Sequence, residues 1–451
     1  MTDTINSKRK PAFHIYGGEG WINDPNGLIY YKGRWHAFFQ YYPEATHWGP
    51  MHWGHVVSDD LINWERLPVA LAPGGESGEE GCFSGSAIEF DGRLWLLYTG
   101  YTENGGGDDV RQLQYLASSD DGVNFVKHGI VIGEKELPPE YSPCNFRDPR
   151  VWKKDGVFYC LVAAKRKGGN GRIIAFRSEN LFDWQFVGDL FGEDSKGSMT
   201  ECPEYNDQLG LLTVCEQFQP AEGKAHLNVH STRWYTGALD YSTFKFKAEN
   251  CGIMDYGFDF YAPQSYIDRN ITIGWLNMWD RNVPSDKYGF AGMLTFPRRL
   301  QVKDGALWQT PAIDGELFHL RETDGTVSDK LVHGAVKIVA EGLESLQLDL
   351  RIKGDTRTSF RLDGNEWVFD RSLSGEKVTG VEKDEDSLAG IRRIPYKNLP
   401  VHEITVISDE FSVEIFVDGE VASSTVYPEE GADGLELAVK ADLCKYAKIN
   451  M

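Results

Sequence analysis

The sequence has no apolar run long enough to span a bilayer, and residues 1–11 are polar and basic without an apolar core. From these two absences we expect no membrane partner, no secretory signal and a cytoplasmic protein. Basic residues are scarce, since 46 lysines and arginines stand against 68 aspartates and glutamates, a net charge of −22. Nucleic acid and anionic surfaces are therefore disfavoured as partners.

Cysteines are also few. The seven are odd in number and have no CxxC spacing, which predicts reduced thiols without disulfides. His52 and His55 could form half of a metal site, but no third ligand lies nearby in the sequence. We therefore expect these histidines to pack or to form hydrogen bonds, and we expect neither a metal nor an organic cofactor.

Helical periodicity is missing, and short apolar runs recur instead. Five of them cover residues 34–41, 93–100, 157–164, 209–217 and 271–278. Each follows a polar opening after a turn-like stretch, and the openings are Asp24, Ser84, Asp148, Glu201 and Tyr261. The openings are 60, 64, 53 and 60 residues apart, a spacing typical of a repeat architecture.

A second marker, a polar turn that ends in an aromatic residue, has the same period. Its aromatic residues are Trp64, Phe125, Trp184 and Phe244. Repeats of this length with short strands and Gly-rich turns predict an all-β fold, a five-bladed β-propeller with four strands in each blade. The innermost strands of such blades line a central channel, so the five openings are expected to converge there. How the ring closes is left open.

The repeat stops after residue 300. Residues 346–352 and 413–419 alternate apolar and polar side chains, which predicts a C-terminal β-sandwich. We therefore expect a catalytic propeller at residues 1–305, a linker at 306–321 and a sandwich at 322–451. The sandwich is expected to pack on the propeller, with glycan binding or subunit contact as alternatives. Its spare sheet edges leave a homodimer open.

Two carboxylates that face each other across a channel can cleave a glycosidic bond with retention, one as nucleophile and one as acid, at a separation of about 5–5.5 Å. A third can hold sugar hydroxyls and offset developing positive charge. Arg147 is expected to keep its neighbour Asp148 ionised. A lone Asp-Pro is more often a turn former than a catalyst, but three acids at equivalent repeat positions favour chemistry.

Several motifs carry a resemblance to a known family. They are Trp21-Ile22-Asn23-Asp24-Pro25-Asn26-Gly27, Phe83-Ser84-Gly85-Ser86, Arg147-Asp148-Pro149 and Glu201-Cys202-Pro203. This set resembles glycoside hydrolase family 32, the invertases, levanases and other β-fructofuranosidases. The resemblance implies that Asp24 is the nucleophile, Glu201 the acid/base and Asp148 the transition-state stabiliser. It also implies a fructose pocket lined by Asn23, Gln40, Trp48, Phe83, Ser84, Arg147, Tyr261 and Trp275.

The implied activity is retaining hydrolysis of terminal non-reducing β-D-fructofuranosides such as sucrose and short fructo-oligosaccharides. It requires a Glu201 whose pKa is raised and an ionised Asp24. Sucrose 6-phosphate hydrolysis, fructosyl transfer and non-catalytic fructan binding stay open as alternatives. A phosphate would need a basic residue near the leaving glucose. The suggestive ones are Arg281, Lys287, Arg298 and Arg299.

Overall fold

The computed structural model describes residues 9–103, 109–193, 195 and 197–451, and these ranges form an all-β protein. The strands belong to seven sheets. Short helical turns lie at Gly75–Ser77, Ile267–Arg269, Pro284–Tyr288, Gly315–Leu317 and, as α1, Glu385–Ala389. Within the described ranges, no helix has the length and apolar character needed to cross a membrane.

The first five sheets follow one another along the chain, and each is an antiparallel meander in its first strands. Sheet 1 contains β1 Gly20–Tyr31, β2 Arg34–Tyr42, β3 His52–Ser58 and β4 Trp64–Leu71. Sheet 2 contains β5 Gly81–Phe90, β6 Arg93–Glu103, β7 Val110–Ser119 and β8 Val126–Ile132. Sheet 3 contains β9 Tyr141–Lys154, β10 Val157–Arg166, β11 Gly171–Ser178 and β12 Trp184–Phe191.

Sheet 4 contains β13 Met199–Asn206, β14 Leu211–Gln217, β15 His230–Asp240 and β16 Lys245–Ile253. Sheet 5 contains β17 Tyr261–Tyr266, β18 Ile271–Trp275, β20 Arg298–Lys303 and β21 Ala306–Pro311. The two-residue strand β19, Phe290–Ala291, leaves this series and pairs in parallel with Gly20 and Trp21 of β1. The last part of the repeat region thus joins the first sheet.

The five first strands, β1, β5, β9, β13 and β17, contact one another in cyclic order, and β17 also contacts β1. Large apolar residues fill the spaces between neighbouring sheets. Phe38, Trp53 and Leu97, for example, share a buried cluster with Phe158 and Phe176. The five openings of the repeats therefore face a common centre.

The polar turns of the repeats close in the same way in three sheets. Asp60 accepts hydrogen bonds from the backbone N–H groups of residues 62 and 63, and Asp121 and Asn180 do the same for the residues two and three positions later. These are turns in which the side chain replaces a backbone acceptor. The repeated marker in the sequence corresponds to this local geometry.

The remaining chain forms two six-stranded sheets. Its strands are β22 Arg321–Glu322, β23 Thr326–Lys330, β24 Gly334–Glu341, β25 Ser345–Lys353, β26 Thr356–Asp363, β27 Glu366–Asp370, β28 Ile391–Pro395, β29 Val401–Asp409, β30 Ser412–Val417, β31 Glu420–Thr425, β32 Gly434–Lys440 and β33 Leu443–Asn450. Sheet 6 has the order β22-β33-β24-β29-β30-β31 and sheet 7 the order β23-β32-β25-β26-β27-β28. Both contribute to one apolar core, which includes Val336, Ile415, Leu348 and Phe360.

The structure differs from two sequence-based expectations. The apolar runs were expected to be the first strands of the units, with the polar openings at their entrances, but the openings lie inside the first strands and the apolar runs are the second strands of their sheets. Residues 306–311, placed in the linker, instead form β21 and pair with β20, so sheet 5 extends six residues further. In both places cross-strand pairing, which a local pattern does not show, determines the structure.

Candidate active site

A β-bulge lies at each of the five openings. The pairing of first and second strands is interrupted between Ile22 and Pro25 and between Glu201 and Glu204, and at the matching places of sheets 2, 3 and 5. Proline follows Asp24, Asp148, Cys202 and Ala262 at these positions. Because proline cannot donate to the ladder, it is tolerated in a strand at a bulge, and a bulge re-aims the neighbouring side chains.

Asp24 in β1 is held by two donors. The Ser84 hydroxyl of sheet 2 donates to its Oδ2 at 2.6 Å, and the Asn23 amide donates to its Oδ1 at 3.0 Å. The Trp21 indole N–H donates in turn to Asn23 Oδ1 at 2.9 Å. Asp24 therefore has a fixed orientation at the centre of the ring.

Asp148 in β9 lies next to Asp24 through one residue of sheet 4. The Cys202 backbone N–H donates to Asp148 Oδ2 at 2.9 Å, and the Cys202 Sγ lies 3.6 Å from Asp148 Oδ2 and 3.8 Å from Asp24 Oδ2. Both Asp148 and Cys202 have positive φ, 63° and 45°. Such values cost energy in non-glycine residues, and they cluster at functional sites.

Glu201 in β13 is held by residues of sheets 3 and 5. The Arg147 guanidinium donates to its Oε1 from Nη2 at 2.8 Å and from Nε at 3.1 Å. The Tyr261 hydroxyl donates to its Oε2 at 2.6 Å. All hydrogen-bonded partners of this carboxylate are therefore side chains that other sheets bring to the ring centre.

The pKa values of the three acids differ from expectation. Burial would raise the pKa of Glu201, but the charge of Arg147 and the Tyr261 hydrogen bond outweigh it, so that the pKa lies below its ordinary value. Burial raises the pKa of Asp148 to about 7, with the charges of Glu201 and Asp24 adding to it and Arg147 opposing it. Burial also raises the pKa of Asp24, against the donors Ser84 and Asn23.

Two expectations about charge are therefore wrong. Glu201 does not have a raised pKa, and Arg147 does not keep Asp148 fully ionised near pH 7. The physical reason is the direction of the guanidinium, which hydrogen-bonds to Glu201 of the neighbouring sheet and reaches Asp148 only through its charge. Of the three acids, Asp148 and Asp24 have raised pKa values and Glu201 a lowered one.

Of the other predicted pocket residues, Ser84, Asn23, Arg147 and Tyr261 contact the acids directly, as described above. Phe83 stacks on Tyr101 with 4.8 Å between ring centroids, and Trp48, which is 46% exposed, meets Phe83 edge-on at 5.9 Å. These three rings form an aromatic wall beside Ser84.

Gln40 and Trp275 are buried, and their described contacts are with residues other than the three acids. Gln40 is buried, and its amide donates to the Cys82 carbonyl at 3.0 Å. Trp275 is completely buried and packs against Trp21 at 5.8 Å between centroids. Trp275 is connected to Asp24 indirectly, through its packing against Trp21 and the hydrogen bonds from Trp21 to Asn23 and from Asn23 to Asp24.

None of the four bases proposed for a phosphate is placed at the acids. Arg281 is buried against Asp259 and Glu382, and Arg298 is buried against Asp255 and Glu414. Lys287 pairs with Glu376. Arg299 is exposed and lies opposite Ile271, at the end of sheet 5 far from Tyr261.

The sequence-based interpretation missed several residues of the site. Cys202 contacts two acids, and Thr99 Oγ1 accepts the backbone N–H of Asp148 at 2.9 Å. His230 lies 5.5 Å from Tyr261 between ring centroids. Cys202 directly follows Glu201, so its proximity was readable from the motif, whereas Thr99 and His230 carry no local signal.

Metal ligation finds no support in the described part of the chain, where no group of three or more His, Cys, Asp and Glu side chains is arranged for it. His55 is buried, and its Nε2 lies 3.0 Å from Nδ1 of His36. Burial lowers the pKa of both histidines, that of His36 to about 4. His52 hydrogen-bonds to the Pro50 carbonyl.

Family models and known proteins match this chain along nearly its whole length. The family model of the glycosyl hydrolases family 32 N-terminal domain matches residues 14–311, and that of the family 32 C-terminal domain matches residues 311–450. A sucrose-6-phosphate hydrolase of Escherichia coli is 37% identical over 440 residues, 93% of this chain and 89% of that protein. A raffinose invertase of Escherichia coli is 36% identical over 453 residues, 96% and 92% of the two chains.

Solved structures agree. The GH32 beta-fructofuranosidase BmSUC1 of Bombyx mori has a TM-score of 0.83 at 30% identity, with 99% of this chain and 95% of that chain covered. The sucrose-6-phosphate hydrolase of Lactobacillus gasseri has a TM-score of 0.87 at 26% identity, with 99% and 94% covered. The family models, the relatives and the convergence of three carboxylates lead to one conclusion: this chain belongs to glycoside hydrolase family 32.

Proposed function

We propose that the protein hydrolyses terminal non-reducing β-D-fructofuranosides with retention, through a fructosyl-enzyme intermediate. The observation that carries this proposal is the meeting of Asp24, Asp148 and Glu201, which three sheets bring to one ring centre, where Cys202 contacts both aspartates and Arg147 acts on Glu201 and Asp148. The relatives named above are a hydrolase and an invertase, and a BmSUC1 mutant was solved in complex with sucrose.

In the proposed reaction, Glu201 protonates the glycosidic oxygen while Asp24 attacks the anomeric carbon of fructose. The bond between that carbon and the leaving oxygen breaks, and an ester to Asp24 forms. Glu201, now a carboxylate, takes a proton from water, and the water oxygen displaces Asp24 from the sugar. Ser84 and Asn23 hold Asp24 in one orientation for the attack.

The pKa values of Asp148 and Glu201 indicate where Glu201 obtains the proton that it donates. Burial raises the pKa of Asp148 to about 7, whereas Arg147 and Tyr261 hold the pKa of Glu201 below its ordinary value. Sugar hydroxyls that donate to Asp148 favour its ionised form. Substrate binding is therefore proposed to move a proton from Asp148 to Glu201, so that Glu201 is protonated only in the complex.

For the architecture, we propose a five-bladed β-propeller followed by a β-sandwich. The cyclic contacts of the five first strands and the pairing of β19 with β1 support the former, and the shared core of sheets 6 and 7 supports the latter. The division proposed is a catalytic domain up to residue 311, a connector at 312–320 and a second domain from β22 onward. The homodimer and the cytoplasmic location stay predictions.

Sucrose and short fructo-oligosaccharides are the proposed substrates, because Arg281, Arg298 and Lys287 are all engaged in ion pairs away from the acids. Sucrose 6-phosphate is the second candidate, which the names of the Escherichia coli and Lactobacillus gasseri relatives favour. Specificity constants of the purified protein on sucrose, sucrose 6-phosphate, kestose, inulin and levan would separate them. Kestose formed from sucrose would reveal fructosyl transfer.

The test of the catalytic roles is a pair of isosteric variants. Asp24→Asn and Glu201→Gln are expected to fold and to lose roughly 10⁴-fold in turnover, because each removes a group that the reaction needs. Asp207→Asn is the matched control, since its partly exposed carboxylate pairs with Lys154. Near-normal turnover in either active-site variant would remove that residue from its role. Tight sucrose binding without fructose release by the unaltered protein would instead favour a fructan-binding module.

A further inference from the structure

A segment of the second domain reaches over to the loops beside the acids. This segment, residues 376–386, lies between β27 and β28 and is called the clasp below. It contacts loop A, residues 218–229, which follows β14 in the sheet of Glu201. It also contacts loop B, residues 276–289, which follows β18 in the sheet of Tyr261.

Loop B is bound to the clasp through three consecutive residues. The Asn282 side-chain oxygen accepts the Thr379 backbone N–H at 2.7 Å, and the Asn282 backbone N–H donates to the Thr379 carbonyl at 3.2 Å. The Asp280 carboxylate accepts the backbone N–H of Val381. The Arg281 guanidinium, which is fully buried, donates to Glu382 at 2.5 Å.

Loop A is bound mainly through Lys383. Its ammonium group donates to the Gln219 carbonyl at 2.7 Å and to the His226 carbonyl at 2.9 Å, so one side chain connects two ends of the loop. Lys224 of loop A pairs with Asp386 at 2.9 Å. The clasp therefore fixes loop A to the same second-domain segment that fixes loop B.

Each loop carries one aromatic residue with an exposed face. Phe218 in loop A is 60% exposed, and its ring meets His230 edge-on at 4.7 Å. Its backbone N–H donates to His230 Nδ1 at 3.2 Å, and His230 lies against Tyr261. Since Tyr261 hydrogen-bonds to Glu201, Phe218 stands three contacts from the acid/base.

Trp279 in loop B is the counterpart. It is 37% exposed and stacks on Trp21 with 6.1 Å between ring centroids and 28° between planes. Trp21 donates to Asn23, which donates to Asp24. Two exposed rings, one from each loop, are thus connected through side-chain contacts to Glu201 and to Asp24.

We propose that the clasp positions Phe218 and Trp279 as walls of the subsite for the leaving group, so that the second domain determines which leaving groups the protein accepts. This inference rests on the proposed function, because Glu201 must protonate the leaving oxygen and the leaving group therefore lies on its side. Aromatic faces pack against the apolar face of a sugar ring. Loops held by a rigid segment lose less entropy when they bind, which strengthens the contact.

The test compares substrates that share fructose and differ in the leaving group. Lys383→Met keeps the apolar stem and removes the donors to loop A. We expect kcat/KM to fall roughly 10- to 100-fold on sucrose and kestose and to stay unchanged on methyl β-D-fructofuranoside, whose leaving group is too small to reach the rings. Phe218→Ala and Trp279→Ala are expected to give the same pattern. Lys383→Arg, which keeps two donors, is expected to restore activity on sucrose.

The matched control is Lys330→Met, because Lys330 is an exposed lysine of the second domain that pairs with Asp433, away from the clasp. An equal loss on all three substrates, or no loss on any, would overturn the proposal. If Lys383→Met fails to fold, Phe218→Ala and Trp279→Ala decide it, since both alter partly exposed side chains. Failure of the proposed function would give a different result from failure of this inference, because the unaltered protein would then release no methanol from methyl β-D-fructofuranoside.

Discussion

The hydrogen bond from Tyr261 to Glu201 makes a prediction about the pH profile. In Tyr261→Phe the ring stays in place and the 2.6 Å bond to Oε2 is lost. A hydrogen bond to a charged group contributes about 1.5–3 kcal/mol. At 1.36 kcal/mol per pKa unit, its loss should raise the pKa of Glu201 by about 1–2 units.

The direction of the effect follows from the role of Glu201. Glu201 works in its protonated form in the first step, so a higher pKa extends activity to higher pH. The basic limb of kcat, measured at saturating sucrose, reports the essential acid of the substrate complex. We therefore expect this limb to move upward by about 1–2 pH units in Tyr261→Phe, measured as initial rates of fructose release from sucrose between pH 4 and 10.

Tyr266→Phe provides the control within the same strand. Tyr266 is buried at the other end of β17, and its hydroxyl has no hydrogen-bond partner among the described residues. Its removal should leave the limb in place. A limb in Tyr261→Phe that stays where it is in the unaltered protein, or that moves to lower pH, would refute the reasoning.

Two further predictions concern the contact between the domains. His14 is buried between Asp409 and Glu414. Burial lowers the pKa of His14, but the two carboxylates outweigh it and raise the pKa from 6.5 to about 9. The contribution of His14 to the stability of the fold is therefore complete below pH 6.5 and is lost as the pH rises through about 9. Urea unfolding should show roughly 3 kcal/mol less stability at pH 10 than at pH 6, and His14→Gln should abolish most of this difference. Gly257→Ala would place a Cβ 2.0 Å from the Ser423 carbonyl, so its melting temperature should fall, whereas Gly315→Ala, with open space around it, should not change. Equal melting temperatures for the two glycine variants would contradict this.

The period of the sequence predicted the meeting of the acids but not the local structure that allows it. Taken singly, Asp24-Pro25 and Asp148-Pro149 would be interpreted as turns, since these pairs are frequent in turns. Inside a sheet the same proline produces a bulge, because neighbouring strands hold the chain extended on both sides. Which of the two structures forms depends on pairing with the second strand of the sheet, as between Pro25 and Phe39.

The charge state of the site was also beyond the sequence. Arg147 precedes Asp148 in the chain, which suggested that the two interact, but its guanidinium hydrogen-bonds to Glu201 of the next sheet. The bases suggested for a phosphate failed for a similar reason. Arg281 and Arg298 find Glu382 and Glu414 in the second domain, more than a hundred residues later.

The pairing of β19 with β1 has a consequence for folding during synthesis of the chain. Asp24 is synthesised early, but the partners of the acids come from residues 84, 147, 202 and 261, and the strand that closes the ring begins at Phe290. Until then the nascent chain holds its acids beside an open edge that other chains can pair with. Enzymatic activity therefore indicates a chain in which β19 has paired with β1.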